Sequence, residues 1–132
     1  MVLIIGGSYQ GKKSWAQEHF SLSDSDWTEG ANCSRADLLH ARAVNHFHLY
    51  VKEAVKRGED LSDLADLLAE KNPSLLLVKN EIGCGVVPID PEERKYREAD
   101  GRLSERLAAR SETVVRVFCG IGQVIKGKEA QL

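Results

Sequence analysis

The sequence predicts an α/β domain of three layers, in which helices cover both faces of a mainly parallel sheet. Two observations favour this class. Apolar runs without alternation, such as residues 75–78 (LLLV), are typical of strands that are covered on both faces. Stretches with helical spacing of apolar residues separate these runs, and strands that alternate with helices pair in parallel. A chain of 132 residues has the size of one domain, predicted here over residues 1–132.

The first part of the chain is predicted to contain one strand and three helices. The strand covers residues 2–5, and the helices cover residues 15–20, 36–57 and 61–70. Residues 21–34 are polar and have no sustained period, so they are predicted to form a loop with a short strand near residues 31–33. The helix over residues 36–57 is the longest, because apolar side chains recur at helical spacing until Gly58.

The second part is predicted to contain two strands with a loop and a helix between them. The strands cover residues 75–78 and 114–119, the loop covers residues 82–91, and the helix covers residues 94–110. The loop is assigned from its glycines and prolines, which favour a sharp turn or a fold over a ligand. Gly120 and Gly122 are predicted to open a basic tail.

Charge and composition disfavour several classes of protein. The 18 basic and 20 acidic side chains give a net charge of -2, so no overall field favours nucleic acid or an anionic membrane as a partner. The apolar runs are too short to span a bilayer, and the first residues lack the pattern of a secretory signal, which predicts a cytoplasmic protein. Three cysteines without C-x-x-C spacing predict reduced thiols rather than disulfides or a zinc site.

A glycine-rich segment follows the first strand and nearly matches the phosphate-binding motif G-x-x-x-x-G-K-[ST]. The residues predicted to bind nucleotide phosphates are Gly6, Gly7, Ser8, Tyr9, Gln10, Gly11, Lys12 and Lys13. Backbone N–H groups between a strand and a helix can converge on one anion, assisted by the helix dipole. Lys12 is expected to contact the outer phosphates. The alternative is a glycine-rich turn that binds no ligand.

The last residue of this motif departs from the pattern. Ser or Thr at this position places a hydroxyl on the Mg²⁺ that bridges the phosphates, whereas Lys13 adds a positive charge. Ser14 is rotated by about 100° around the helix from the required position, so it is a poor substitute. The segment therefore favours nucleotide binding over nucleotide chemistry.

Polar residues follow the predicted strand at residues 75–78. Ligands bind beyond the carboxyl ends of parallel strands, so Asn80 and Glu81 are expected to lie near the phosphate loop if the two strands are neighbours. Glu81 is the candidate group to hold Mg²⁺ or to accept a proton from an attacking hydroxyl. The alternative is that Glu81 caps a turn or forms an ion pair. Lys79 is expected to be solvated.

Three histidines, His40, His46 and His48, lie within the helix predicted over residues 36–57. An imidazole can accept a phosphoryl or nucleotidyl group, or act as an acid beside a phosphate. His46 and His48 are expected to face away from each other, because positions two apart on a helix point in different directions, which argues against a metal pair. His46 is the candidate catalytic histidine, with His48 as the alternative.

Three segments of the sequence resemble one enzyme family. They are the phosphate loop GGSYQGK, the segment NEIGCGVVPIDPEERKYREADGRLSERLAAR and the terminal VFCGIGQVIKG. Together they resemble the adenosylcobinamide kinase/adenosylcobinamide-phosphate guanylyltransferase family of cobalamin biosynthesis. The resemblance covers residues 1–20 and 73–127, and its most specific motif covers residues 80–88.

The resemblance implies a P-loop NTPase-like fold and two reactions at one nucleotide site. One reaction phosphorylates adenosylcobinamide with GTP or ATP and Mg²⁺, and the other transfers GMP from GTP to the product through a guanylylated histidine. On this analogy the phosphate loop holds the nucleotide, while Asn80 and Glu81 close the site on the neighbouring strand. The resemblance also favours a homo-oligomer.

Two departures from the family pattern bear on this function. Lys13 replaces the hydroxyl residue, and residues 21–45 contain no convincing counterpart of the family's histidine loop. The leading hypothesis is a nucleotide-dependent transferase of the cobinamide kinase type, in which Lys12 stabilises charge in the transition state. The alternatives are a catalytically degenerate nucleotide-binding or regulatory protein and an α/β interaction domain without a ligand.

Overall fold

The computed structural model describes residues 1–82 and 89–127. The strands in this part of the chain are β1 (Val2–Gly6), β2 (Trp27–Glu29), β3 (Ala43–Asn45), β4 (Leu76–Asn80), β5 (Thr113–Phe118) and β6 (Ile121–Lys126). The helices are α1 (Lys12–Phe20), α2 (Arg35–His40), α3 (Phe47–Lys56), α4 (Leu64–Lys71) and α5 (Pro91–Arg110). Among the described residues, none of these helices has both the length and the apolar character needed to cross a bilayer.

The strands form a single sheet in the order β2-β3-β4-β1-β5-β6. Neighbouring strands are parallel, apart from β5 and β6, which are antiparallel. The last residue of β1, Gly6, is in register with Asn80 at the end of β4, and Glu29 of β2 is in register with Asn45 of β3. The carboxyl ends of four parallel strands therefore meet at the same end of the sheet.

Successive residues of the central strands point into two different cores. Leu3 and Leu77 lie in the core under α3, α4 and α5, whereas Ile4 and Val78 lie in the core on the opposite face, with Trp15 of α1. All five side chains are buried. Both faces of the sheet are covered, which explains why these strands lack alternating polar residues. The predicted three-layer α/β class is confirmed.

The long helix predicted over residues 36–57 is wrong, because the chain forms α2, β3 and α3 there. Ala43, which completed the helical spacing, is a fully buried strand residue in register with Leu76 of β4. His46 then adopts a left-handed backbone conformation with φ 53°, which a right-handed helix does not contain. The apolar residues of two helices and the short strand between them together have the spacing expected of one long helix.

Two shorter assignments also need correction. The second strand lies at Trp27–Glu29 rather than near residues 31–33, where Gly30–Asn32 forms a 3₁₀ turn. The basic tail predicted after Gly120 is instead β6, which pairs with β5 in a hairpin. Cys119 and Gly120 form the hairpin turn, and both have positive φ, 52° and 75°, as a two-residue turn of this type requires.

The helix predicted over residues 94–110 begins three residues earlier than expected. Pro91 occupies its first turn, and the side chain of Asp90 accepts a hydrogen bond from the backbone N–H of Glu92 at 3.0 Å. This is a favourable helix start, because proline loses no helical hydrogen bond there and an aspartate caps a free N–H group. Residues 83–88 of the predicted loop lie outside the described residues.

Candidate functional site

The predicted phosphate loop joins β1 to α1 and leaves the start of α1 without a side-chain cap. Gly11 has φ 85° directly before α1, and no side chain caps the amino-terminal turn of that helix. The first N–H groups of a helix have no partner within the helix, so they are available to an anion. The Lys12 ammonium donates a hydrogen bond to the Gly7 carbonyl over 2.6 Å, which folds it back over the loop. Burial lowers the pKa of Lys12, and the nearby Glu81 carboxylate opposes that effect.

Gln10 anchors this loop to the turn between β5 and β6. Its side-chain Oε1 accepts a hydrogen bond from the Cys119 N–H, and its carbonyl accepts one from the Gly120 N–H, both over 2.8 Å. A Cβ on Gly11 would lie 3.3 Å from the Cα of Gly120, so the loop and the turn are in close contact. The β5–β6 hairpin therefore stabilises the conformation of the phosphate loop.

The end of β4 lies beside the phosphate loop, since β4 and β1 are neighbours. The Asn80 side-chain amide donates a hydrogen bond to Ser8 Oγ over 2.9 Å, and the Glu81 N–H donates one to the Gly6 carbonyl over 2.8 Å. Asn80 therefore holds the loop directly through a side chain, whereas Glu81 does so through its backbone.

The Glu81 carboxylate forms an ion pair with Arg116 of β5. Its Oε1 lies 2.8 Å from the Arg116 Nε, and its Oε2 lies 3.2 Å from the Nη2, so both carboxylate oxygens are engaged. Bidentate pairs of this geometry are the stronger kind of ion pair. The assignment of Glu81 to a metal or to a proton stays a prediction.

A cavity of about 370 Å³ lies between the phosphate loop and the ends of β3 and β4. Its lining residues are Ser8, Tyr9, Gln10, Gly11, Lys12, Lys13, Ser14, Asn45, His46, His48, Leu49, Val78, Lys79 and Asn80. The cavity thus unites most of the residues predicted for nucleotide binding with His46. Of the predicted site residues, Gly6, Gly7 and Glu81 lie outside this lining.

The prediction that His46 and His48 face away from each other is wrong. Their ring centroids are 5.8 Å apart in an edge-to-face arrangement. The left-handed backbone of His46 places it before α3 rather than on the helix, so helical angles do not describe the pair. His40 ends α2, where it is exposed.

His48 is fixed as a neutral imidazole. Its Nδ1 accepts a hydrogen bond from the backbone N–H of Asn80 over 3.0 Å, so the proton of the neutral ring lies on Nε2. Burial lowers the pKa of His48 to about 4, and the neighbouring His46 and Lys79 side chains add to this effect. The ring therefore links α3 to the end of β4.

His46 has a carboxylate partner that the sequence did not reveal. Its Nδ1 lies 3.1 Å and 3.0 Å from the two carboxylate oxygens of Glu29, at the end of β2. Glu29 was missed because residues 21–34 were predicted to form a loop. A strand ending at Glu29 would have placed it at the same end of the sheet as Asn80.

Lys79 is buried rather than solvated, with 2% of its surface exposed. Its ammonium donates hydrogen bonds to Asp100 Oδ2 over 2.9 Å and to the Asn80 carbonyl over 3.0 Å. Burial raises the pKa of the Asp100 carboxyl, and the Lys79 ammonium opposes that rise. This ion pair ties the end of β4 to the middle of α5.

Comparison with known proteins identifies the family. The sequence model of the family described as cobinamide kinase / cobinamide phosphate guanyltransferase matches residues 36–125, which is more than half of the chain. The chain belongs to this family. The match begins after the phosphate loop, so the assignment of the loop rests on its own motif and geometry.

Named relatives of this cobinamide kinase family member act in cobalamin biosynthesis. The bifunctional adenosylcobalamin biosynthesis protein CobP of Pseudomonas aeruginosa is 35% identical over 100 residues, which cover 76% of the chain and 57% of that relative. The bifunctional adenosylcobalamin biosynthesis protein CobU of Salmonella typhimurium is 44% identical over 52 residues, covering 39% of the chain and 29% of that relative. The chain therefore spans between 29% and 57% of the length of these two relatives.

The described part of this family member forms no ready-made metal site. No group of three or more His, Cys, Asp or Glu side chains converges there to hold an ion. The position of the motif's hydroxyl is held by Lys13, whose ammonium lies 5.6 Å from the centroid of the Trp27 ring. The Ser8 hydroxyl already accepts a hydrogen bond from Asn80. Mg²⁺ at nucleotide sites usually takes one or two carboxylates together with phosphate oxygens, and Glu81 is the carboxylate predicted for it here.

Proposed function

We propose that the chain binds a nucleoside triphosphate at the phosphate loop and transfers part of it to a cobinamide-type acceptor. The observation that carries the proposal is the cavity that joins Lys12 to the ends of β3 and β4. ATP and GTP are both proposed as donors. The first reaction is phosphorylation of adenosylcobinamide, in which the acceptor hydroxyl attacks the terminal phosphorus and passes its proton to Glu81 or to water. The bond from that phosphorus to the bridging oxygen breaks, and the nucleoside diphosphate leaves with the electron pair.

Each proposed site residue has a role that its contacts support. Lys12 stabilises the charge that develops on the transferred group, because a lysine in a partly buried site acts more strongly than one in water. Asn80 holds Ser8 and so fixes the loop around the phosphates. The N–H groups from Gly11 to Lys13 complete the proposed phosphate site.

Mg²⁺ is proposed to enter with the triphosphate as part of the substrate, where it neutralises phosphate charge. Glu81 is its proposed protein ligand. Since both Glu81 oxygens bind Arg116 in the free protein, metal binding at Glu81 requires that this ion pair opens or that water bridges the two groups.

His46 is the proposed acceptor of a nucleotidyl group in a second reaction, transfer of GMP to the phosphorylated product. Its position in the cavity lining supports this role. His48 is less suited, because its Nδ1 is occupied by the Asn80 N–H and its Nε2 carries the proton.

A catalytically degenerate nucleotide-binding protein is the second candidate function. Two observations favour it: Lys13 stands where the motif has a hydroxyl, and the Glu81 carboxylate is held by Arg116. A protein of this kind would bind nucleotide without turnover.

Calorimetry and an activity assay separate the two candidates. ATP and GTP are titrated with Mg²⁺ and with EDTA, and turnover is measured with adenosylcobinamide. The enzyme proposal predicts tighter binding with Mg²⁺ and formation of the phosphorylated product. Lys12→Ala should lower nucleotide affinity at least tenfold, whereas the control Lys71→Ala, exposed at the end of α4, should bind as the wild type does. Binding without turnover and without a Mg²⁺ effect would favour the degenerate protein.

A homo-oligomer is also proposed. Phe118, Ile121 and Ile125 of the β5–β6 hairpin are large apolar side chains that are 65%, 72% and 57% exposed. Exposed apolar patches of this kind are typical of interaction surfaces. Light scattering at micromolar concentration should give a mass above 14.6 kDa, and a monomer mass at all concentrations would contradict the proposal.

A further inference from the structure

The Glu29 carboxylate contacts one ring nitrogen of His46 and so fixes the orientation of the ring. Both Glu29 oxygens lie within 3.1 Å of the His46 Nδ1, and Oε1 also accepts a hydrogen bond from the Ala31 N–H over 3.2 Å. A carboxylate only accepts hydrogen bonds, so the proton of the neutral ring lies on Nδ1. The lone pair of His46 is therefore on Nε2, the nitrogen on the other side of the ring from Glu29.

The backbone around His46 is constrained in a way that fixes this pair. His46 has φ 53° and ψ 44°, a left-handed conformation that costs free energy for a residue other than glycine. Gly30 lies against it: a Cβ on Gly30 would be 2.3 Å from the His46 carbonyl oxygen. The adjacent residues Glu29 and Gly30 thus contact the side chain and the backbone of the same histidine.

The two histidines of the cavity carry their protons on opposite nitrogens. His48 accepts a hydrogen bond from the Asn80 N–H at Nδ1 and carries its proton on Nε2, whereas His46 donates a hydrogen bond from Nδ1 to Glu29 and has its lone pair on Nε2. Of these two rings, only His46 has an unprotonated nitrogen without a hydrogen-bond partner among the described residues, so only His46 is arranged as a nucleophile.

We infer that Glu29 is a positioning residue that sets the tautomer of His46 and compensates the positive charge that the ring gains when Nε2 accepts a nucleotidyl group. The inference rests on the proposed transfer function. In the step, the Nε2 lone pair attacks the α-phosphorus of the bound triphosphate and an N–P bond forms. The bond from that phosphorus to the bridging oxygen breaks, and pyrophosphate leaves with its electron pair. The Nδ1 proton stays between the ring and Glu29.

Two measurements test the inference separately from the proposed function. Long-range proton–nitrogen NMR at pH 8, where an ordinary imidazole is neutral, reports the protonated nitrogen of each ring. We expect the proton on Nδ1 in His46 and on Nε2 in His48. In Glu29→Gln, whose amide can donate as well as accept, His46 should lose its exclusive Nδ1 protonation. Wild-type His46 protonated on Nε2 would overturn the inference whatever the activity.

The second measurement is covalent labelling with GTP or ATP that carries ³²P at the α-phosphate. The wild type should acquire an acid-labile label that maps to His46. Glu29→Gln should label at least tenfold more slowly with its nucleotide Kd unchanged within twofold, whereas Glu18→Gln, an exposed glutamate of α1, should label at the wild-type rate. Wild-type labelling by Glu29→Gln, or a label on His48, would overturn the inference. A wild type that binds nucleotide but takes no label would overturn the transfer proposal and the role of Glu29 in it, even if the NMR tautomers are as expected.

Discussion

The backbone N–H of Asn80 donates a hydrogen bond to the Nδ1 of His48 over 3.0 Å. This contact joins α3 to the end of β4, next to the side chain that holds Ser8 of the phosphate loop. Protonation of His48 at Nδ1 would remove the acceptor and place a positive charge in a buried site near Lys12 and Lys79. The cavity wall is therefore sensitive to acid.

The first prediction concerns the pH dependence of the free energy of unfolding. The pKa of His48 is lowered to about 4 in the folded protein from an ordinary value of 6.5, so the unfolded chain binds the proton more readily. The stability that neutral His48 contributes to the fold is fully present above pH 6.5. It is lost as the pH falls towards 4, and the free energy of unfolding decreases by up to about 3 kcal/mol. In His48→Asn, Oδ1 can replace Nδ1 as acceptor and does not titrate. Urea unfolding at pH 7 and pH 4.5 should show a smaller loss for the variant, and equal losses would contradict the account.

The second prediction concerns the support of the phosphate loop by Gln10. Gln10→Ala removes the acceptor of the Cys119 N–H and loosens the loop, so nucleotide affinity should fall about threefold to tenfold, equivalent to one hydrogen bond of about 1 kcal/mol. The control is Gln17→Ala, because Gln17 lies on α1 outside the cavity lining and its side chain donates a hydrogen bond to Asp24. Calorimetry should show unchanged affinity for the control. Equal affinity for both variants would argue against a role of the hairpin.

The third prediction compares two glycines. Gly30→Ala places a Cβ against the His46 carbonyl and must shift the backbone, which should lower the free energy of unfolding by about 1–3 kcal/mol. Gly101→Ala adds a Cβ to the exposed face of α5, where no described atom beyond the adjacent residues and the nearby backbone of α5 lies within 4 Å. This variant should raise the free energy of unfolding by up to about 1 kcal/mol. Thermal and urea unfolding measure both changes, and destabilisation of the two variants by the same amount would contradict the described contact.

The fourth prediction concerns the buried ion pair between Lys79 and Asp100. Lys79→Met leaves the Asp100 carboxyl buried without a cation, which should cost about 3–5 kcal/mol of unfolding free energy. The double variant with Asp100→Leu should recover much of that loss, because both charges are then absent. The exposed pair between Arg102 and Glu98 serves as control, and Arg102→Ala should cost less than about 1 kcal/mol. If Lys79→Met and Arg102→Ala lowered the free energy of unfolding by similar amounts, the described burial of the Lys79–Asp100 pair would be wrong.

The phosphate loop and the β4 end could be predicted because their signals are local. A strand followed by spaced glycines and a lysine identifies the loop from one stretch of sequence. An unbroken apolar run identifies β4 as a central strand, which places Asn80 at the end of the sheet where β1 also ends.

The other half of the cavity could not be predicted from local patterns. β2 and β3 have three residues each and depend on pairing with neighbouring strands rather than on their own periodicity. His46 adopts a left-handed backbone conformation although it is not glycine. The sequence therefore contains no glycine or proline that would indicate the break before α3. Glu29 and His46, which are 17 residues apart, meet only because those two short strands pair.

The most direct test of the central claim is a crystal structure of the protein with a non-hydrolysable GTP analogue. The account predicts that the phosphates lie in the loop between β1 and α1, contacted by the N–H groups from Gly11 to Lys13. The Lys12 ammonium should move from the Gly7 carbonyl, where it lies in the free protein, to a phosphate oxygen. A nucleotide bound elsewhere, or an empty loop at saturating analogue with Lys12 still on Gly7, would contradict the account.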